Sequence, residues 1–248
     1  MKKSELLAVS GVKSQSEEAL VMLLLRTIGL LCLSLLLFVG RAHAGVIFHA
    51  DLTTGAEAGP NSFADPTRGA PTTGPGPGVG DPRPLSFGTA NFFLNDAGTA
   101  LSFTATVFNI DFTGTQTPGL NDNLVAAHIH AGGAAAATFP VVWGFFGSPF
   151  NDVNSPGAGL NPQSDCTAFA TGVGGTCSGT WDLSEGNSTT LAAQLPNILA
   201  GRSYINFHTT QYTGGEMRGF LVQVPEPATL VLVGLGLLGI AGIRRRTV

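Results

Sequence analysis

Charge is scarce in this chain. Only 11% of its 248 residues are charged, against about 25% in an ordinary soluble domain. Between residues 45 and 224 there is no lysine, and four basic residues, Arg68, Arg83, Arg202 and Arg218, stand against twelve acidic ones. Binding to phosphates needs clustered cations, so nucleic acid is excluded as a partner. Histidine is scarce too: His49, His128, His130 and His208 are all that this stretch contains. No nucleophile elbow, phosphate loop or dinucleotide fingerprint occurs. The absences point to a binding or structural role rather than an enzymatic one.

Long apolar runs are confined to the two ends. Residues 22–39 are almost continuously apolar and are followed by Arg41-Ala42-His43-Ala44, an A-x-A site for signal peptidase. Residues 1–44 are therefore expected to be a signal peptide, with Met22 an alternative start. At the other end Val224-Pro225-Glu226-Pro227 leads into an apolar and glycine-rich run over 228–243, then Arg244, Arg245 and Arg246. As a helix that run spans roughly 24 Å, short of the ~30 Å hydrocarbon core, which suits a transient anchor with its arginines held cytoplasmic. Pro225-Glu226-Pro227, the short apolar stretch and the terminal arginines together resemble the PEP-CTERM sorting signal of Gram-negative bacteria. That resemblance implies an exosortase as partner, transient anchoring in the inner membrane, release to the cell envelope or outside, and a setting of exopolysaccharide or other envelope components.

Of the three cysteines, Cys32 lies in the N-terminal run, leaving Cys166 and Cys177. In an oxidising compartment these two are expected to form a disulfide; a Cys/His metal site would need a histidine nearby in sequence, and there is none. The central span, residues 45–223, has the size of one domain. A Gly/Pro-rich tract over 55–84 reads as a mobile loop. Alternating or short apolar runs predict strands at 46–52, 85–94, 101–112, 124–130, 141–146, 176–182, 203–209 and 217–222. The 101–112 segment switches its buried face near the end. One helix is expected around Leu191, Leu195, Ile198 and Leu199, capped by Ser188 or Thr189, bent by Pro196 and ended by Gly201. The fold class is all-β, an antiparallel sandwich or barrel with one short helix.

The histidines carry the chemistry-bearing signal. Strand alternation over 125–130 places Val125, Ala127 and Ile129 on one face and His128 and His130 on the other. Over 204–208, Ile205 and Phe207 take the buried face and leave Tyr204, Asn206 and His208 opposite. If the two strands are neighbours, His128, His130 and His208 converge on one outer surface, as ligands of copper or zinc would, with His49 or a water completing the set. The plainer alternative is that these histidines hydrogen-bond a crossing loop. Glu216 and Arg218, two apart on one strand face, pair with each other or lock a neighbouring loop. Gly214-Gly215 makes the turn before the last strand, and Trp143, Trp181, Phe145 and Phe146 belong to the core.

The block from Ser203 to Leu221, with Ala127-His-Ile-His-Ala-Gly132 and Ala50-Asp-Leu-Thr-Thr-Gly-Ala-Glu57, resembles the CHRD domain. The resemblance covers most of residues 46–223 and implies an immunoglobulin-like or superoxide-dismutase-like β fold. The Gly/Pro tract and residues 145–177 depart from the pattern. A second similarity is to copper/zinc superoxide dismutase, with His128, His130 and His208 in the place of its copper ligands. Residues 131–207 hold no histidine, so a bridging ligand and a zinc cage are missing, and a dismutase is not expected.

Overall fold

The computed structural model describes residues 45–132, 138–153, 166–225 and 232–236. The signal peptide expected over 1–44, most of the apolar tail and Glu226, Pro227 and Arg244 to Arg246 lie outside the described residues. Residues 232–236 are helical, and no described helix is long and apolar enough to cross a membrane.

The fold is antiparallel β. Its strands are β1 (Val46–Thr53), β2 (Phe87–Leu94), β3 (Ala100–Phe108), β4 (Leu124–Ala131), β5 (Val141–Phe146), β6 (Cys166–Ala168), β7 (Gly174–Asp182), β8 (Ser203–Thr209), β9 (Met217–Phe220) and β10 (Val222–Gln223), with helix α1 (Leu191–Leu199) between β7 and β8. They form one barrel-like sheet in the order β5-β4-β8-β9-β1-β2-β3-β7-β6, and β10 pairs with β1. Alternation decides the inside. Phe48, Ala50 and Leu52 of β1, Phe92 of β2 and Phe103 of β3 point inward, while their neighbours Asp51, Phe93 and Thr104 face out. The sheet curls until β3 and β7 meet β5 across the core. Phe103 packs on Phe145 at 4.5 Å and edge-on to Trp143 at 5.9 Å, and Trp143 stacks on Trp181 at 5.9 Å. All four expected core aromatics, Trp143, Trp181, Phe145 and Phe146, are buried.

Several local expectations shift. The strand expected over 101–112 ends at Phe108, because Asn109 adopts a left-handed φ of 65° and turns the buried Ile110 inward. β6 was not legible as a strand; it is three residues long and is joined to β7 by the Cys166–Cys177 disulfide, whose cysteines face each other in register. The last strand breaks at Leu221, whose side chain is buried between β9 and β10. Helix α1 is capped by Thr190, not Ser188 or Thr189: its hydroxyl accepts from Ala193 N–H at 3.2 Å. Register shifts in β4 leave Val125 exposed, off the face that buries Ala127 and Ile129.

The Gly/Pro tract departs most from expectation. It is a loop, but a pinned one. Gln211 donates its amide to the carbonyls of Arg68 and Ala70 and accepts from Thr72 N–H, while the Tyr212 hydroxyl donates to Gly69 O at 2.8 Å. Asn121 donates to Gly76 O, and Thr72 and Pro82 form a bridge across the tract. At its end Arg83 gives two hydrogen bonds, 2.8 and 2.7 Å, to the two carboxylate oxygens of Glu216. The tract is ordered by buried side chains reaching from the β8–β9 connection and from the segment before β4.

Candidate metal centre

His128 and His130 come from β4, His208 from the adjacent β8. In the antiparallel register Ala126 faces His208, His128 faces Asn206 and His130 faces Tyr204. All three imidazoles therefore rise from one face of one strand pair. That face is not an outer surface: the three residues are only 4%, 7% and 7% exposed. The segments on either side of β5, around Phe139 and Ser148, and the β8–β9 connection around Thr213 fold over it.

Each ring receives one backbone carbonyl from this cover. His128 Nε2 lies 3.0 Å from Ser148 O, His130 Nδ1 2.8 Å from Phe139 O, and His208 Nδ1 3.0 Å from Thr213 O. A carbonyl oxygen only accepts, so each of these nitrogens carries the N–H and the tautomer of each ring is fixed. The remaining nitrogens are lone-pair donors. His128 Nδ1 stands 3.2 Å from His208 Nε2, and His130 Nε2 is buried with no hydrogen-bond partner among the described residues. One ring nitrogen from each histidine lies within 4.8 Å of the other two. Two imidazoles bound tetrahedrally at ~2.0–2.1 Å from one ion would hold their nitrogens about 3.4 Å apart.

Electrostatics disfavours a proton in that gap. Burial, aided by the charges of His208 and His130, pushes His128 down to about 3. Burial likewise pushes His130 down to about 4 against the pull of the Phe139 carbonyl, and lowers His208 against that of Thr213. The rings are neutral at ordinary pH, as ligands must be.

Local sequence explains the cover. Gly144 faces His128 across β4 and β5, and a Cβ there would sit 1.9 Å from Pro149 O and 3.0 Å from the His128 ring. Only glycine lets the 147–151 turn fold back to present Ser148 O. Gly215, at φ 126°, lies against Asn206 and Glu57, so the turn expected at Gly214-Gly215 also closes the site. The Tyr204 ring stacks on His130 at 4.7 Å, and the Arg218 guanidinium sits 4.6 Å over Tyr204.

The other anticipated residues are placed differently. His49 is outside the cluster: it lies on the outward face of β1, bonded to Asn91 at 2.9 Å and Asp51 at 3.2 Å. The ion-pair partner of Glu216 is Arg83, and Thr209 and Ser86 hydroxyls also donate to its carboxylate. Arg218 donates to Ala56 O. Sequence reasoning passed over Glu57, which is buried with neither carboxylate oxygen in a well-formed hydrogen bond among the described residues. Burial pushes its carboxyl up to about 8, although Arg218 and the Ala58 N–H pull the other way. The carbonyls of Phe139, Ser148 and Thr213 were likewise unreadable, since a backbone ligand has no residue signature.

The CHRD domain family model matches residues 63–221, and that of the PEP-CTERM protein-sorting motif matches residues 223–246. No curated protein and no solved structure matches the chain.

Proposed function

Since this chain belongs to the CHRD domain family and ends in a PEP-CTERM motif, it is exported to the bacterial cell envelope and processed by an exosortase; we propose that it binds a copper or zinc ion there between His128, His130 and His208. One observation carries the reading. Two lone-pair nitrogens, His128 Nδ1 and His208 Nε2, face each other at 3.2 Å, with an orphaned His130 Nε2 in the same group. Facing lone pairs repel unless a cation lies between them, and burial has made a proton the poorer choice. The plainer role, in which each histidine holds a crossing loop, accounts for the three carbonyl contacts but not for the three nitrogens left over. In metal sites that same outward N–H bond orients the ring and raises its basicity.

Three neutral imidazoles suit copper or zinc, with copper held more tightly of the two divalent ions. A fourth position is left for a water or another small ligand. Around this centre the domain acts as a binding or structural module of the matrix outside a Gram-negative cell, its tail anchoring transiently in the inner membrane before cleavage.

The test is metal analysis of the exported protein, purified after reconstitution with copper or zinc and gel filtration. Wild type and His49→Ala should each retain one equivalent, and a variant with His128, His130 and His208 all changed to alanine should retain almost none. Tryptophan fluorescence of Trp143 and Trp181 checks that the variant is folded. Equal, negligible metal in wild type and triple variant would end the proposal.

A further inference from the structure

The outer face of the β1-β2-β3-β7-β6 half carries an ordered pattern that the metal centre does not use. In register, Thr89 of β2 faces Thr106 of β3, Thr106 faces Thr176 of β7, and Thr176 faces Thr167 of β6. Four threonines thus form one row across four strands. The next row is Asn91, Thr104 and Ser178. In the row beyond, the Ser102 and Thr180 hydroxyls bond each other at 3.1 Å. All these positions alternate with core residues, and none is buried. Strand geometry sets the hydroxyls roughly 4.8 Å apart along a row and about 7 Å apart between rows.

Aromatic rings flank the rows. Phe87 and Phe108, 52% and 36% exposed, stack on each other at 4.8 Å, and Phe169 lies 5.2 Å from Phe108. Phe93, also exposed, closes the opposite end, about 20 Å from Phe87 along β2. On β2, β3, β7 and β6 the rows contain no charged residue; on β1, Asp51 continues the Thr89 row and His49, bonded to Asn91 and Asp51, continues the Asn91 row, while Asp182 stands at the end of β7.

We propose that this face binds an uncharged polysaccharide chain, the threonine, serine and asparagine rows meeting its hydroxyls and Phe87 with Phe108 stacking on the apolar face of a sugar ring. A threonine hydroxyl both donates and accepts, as a sugar hydroxyl does, and its β-branch restricts the rotamer so that little order is lost on binding. Other occupants fit less well. An acidic polymer or a phospholipid headgroup needs clustered cations, whereas the one imidazole at the edge of the rows, His49, sits beside the Asp51 carboxylate. A protein partner would want an apolar centre with a polar rim, whereas here the centre is polar and the rings are at the ends. The proposal deepens the reading of the domain as an extracellular binding module and is independent of the metal.

The test is native affinity electrophoresis of the exported protein through gels containing hydroxyethylcellulose, dextran or alginate. Wild type should be retarded by at least one of the two neutral polymers and not by alginate. Phe87→Ala/Phe108→Ala should weaken the retardation about tenfold, as loss of two aromatic contacts implies, and Thr104→Arg, at an exposed position, should do the same. Both variants should stay folded, with one cooperative thermal transition; the Phe87/Phe108 variant should melt a few degrees lower for the loss of its ring contacts, and Thr104→Arg should melt like wild type. The triple histidine variant should be retarded like wild type, so failure of the metal reading leaves this result unchanged. No retardation by either neutral polymer, equal retardation by alginate, or retardation that survives both variants would overturn the proposal. So would gel filtration showing a dimer that both variants abolish and no polymer affects, since the face would then receive a second copy of the chain.

Discussion

Changing Glu216 to glutamine tests how the tract over 55–84 is held. Glu216 is fully buried and the Arg83 side chain is 5% exposed, so their two hydrogen bonds form in a dry interior. The glutamine keeps the shape and removes the charge, which leaves a buried guanidinium facing a neutral amide. Removing one member of such a pair costs roughly 3–5 kcal/mol, because the remaining charge stays desolvated. In a domain near this size each kcal/mol moves the melting temperature by about 2–4 °C, so E216Q should melt roughly 6–20 °C below wild type. Replacing both partners, R83M with E216M, leaves no charge behind and should cost less than the two single changes added together, the remaining loss coming from the buried Thr209 and Ser86 hydroxyls that no longer have their acceptor. Thermal unfolding followed by tryptophan fluorescence at constant pH measures all three variants. Limited proteolysis should find new cleavage between residues 55 and 84 in E216Q. The reasoning fails if E216Q costs under about 1 kcal/mol, or if the double variant costs the sum of the two single changes.

Two further outcomes concern the same interior. Glu57 has its pKa raised to about 8 by burial, so between the unfolded value near 4.5 and 8 the folded state holds a proton that the unfolded state has lost. Its contribution to stability is therefore present at low pH and disappears as pH rises through that window, by on the order of 1.4 kcal/mol per pH unit at the steepest. Denaturant titrations at pH 5 and pH 8 should show E57Q gaining on wild type toward the higher pH, and a constant difference would refute the assignment. The Cys166–Cys177 bond closes an eleven-residue separation and fastens the short edge strand β6. Replacing both cysteines by serine should cost about 2–4 kcal/mol, read as a lower denaturant midpoint, with no loss of metal binding.

The strands were legible where alternation and composition agree: 141–146 and 203–209 coincide with β5 and β8, and the all-β antiparallel class followed from their number and spacing. The histidine triad was legible too, because histidine is scarce here and alternation fixes which side of a strand each one occupies. What alternation cannot report is what lies above a strand face. The burial of the triad depends on the chain returning over it at Phe139, Ser148 and Thr213, and those contacts are made by backbone. The partner of Glu216 was hidden for a related reason: Arg83 is 133 residues away and sits in a tract that has no periodicity to place it. The threonine rows needed the pairing of β2, β3, β7 and β6, since no single strand displays a row running across it.

The connection between β8 and β9 touches both the tract and the histidine cluster, and this bears on how the chain length can vary among variants. Gln211 and Tyr212 hold residues 68–72, Glu216 holds Arg83, and Thr213 between them orients His208. Extra residues at the exposed tip, Pro77 and Gly78, open the small turn that Asn121 holds between Gly76 and Val79 but leave the contacts of residues 68–72, and with them His208, as they are. A deletion across 68–72 instead frees the side chains that brace the connection, and the Thr213 carbonyl loses its fixed position. Insertions at the tip and deletions at the base, similar in length, therefore differ in their consequence for a histidine far downstream in the sequence.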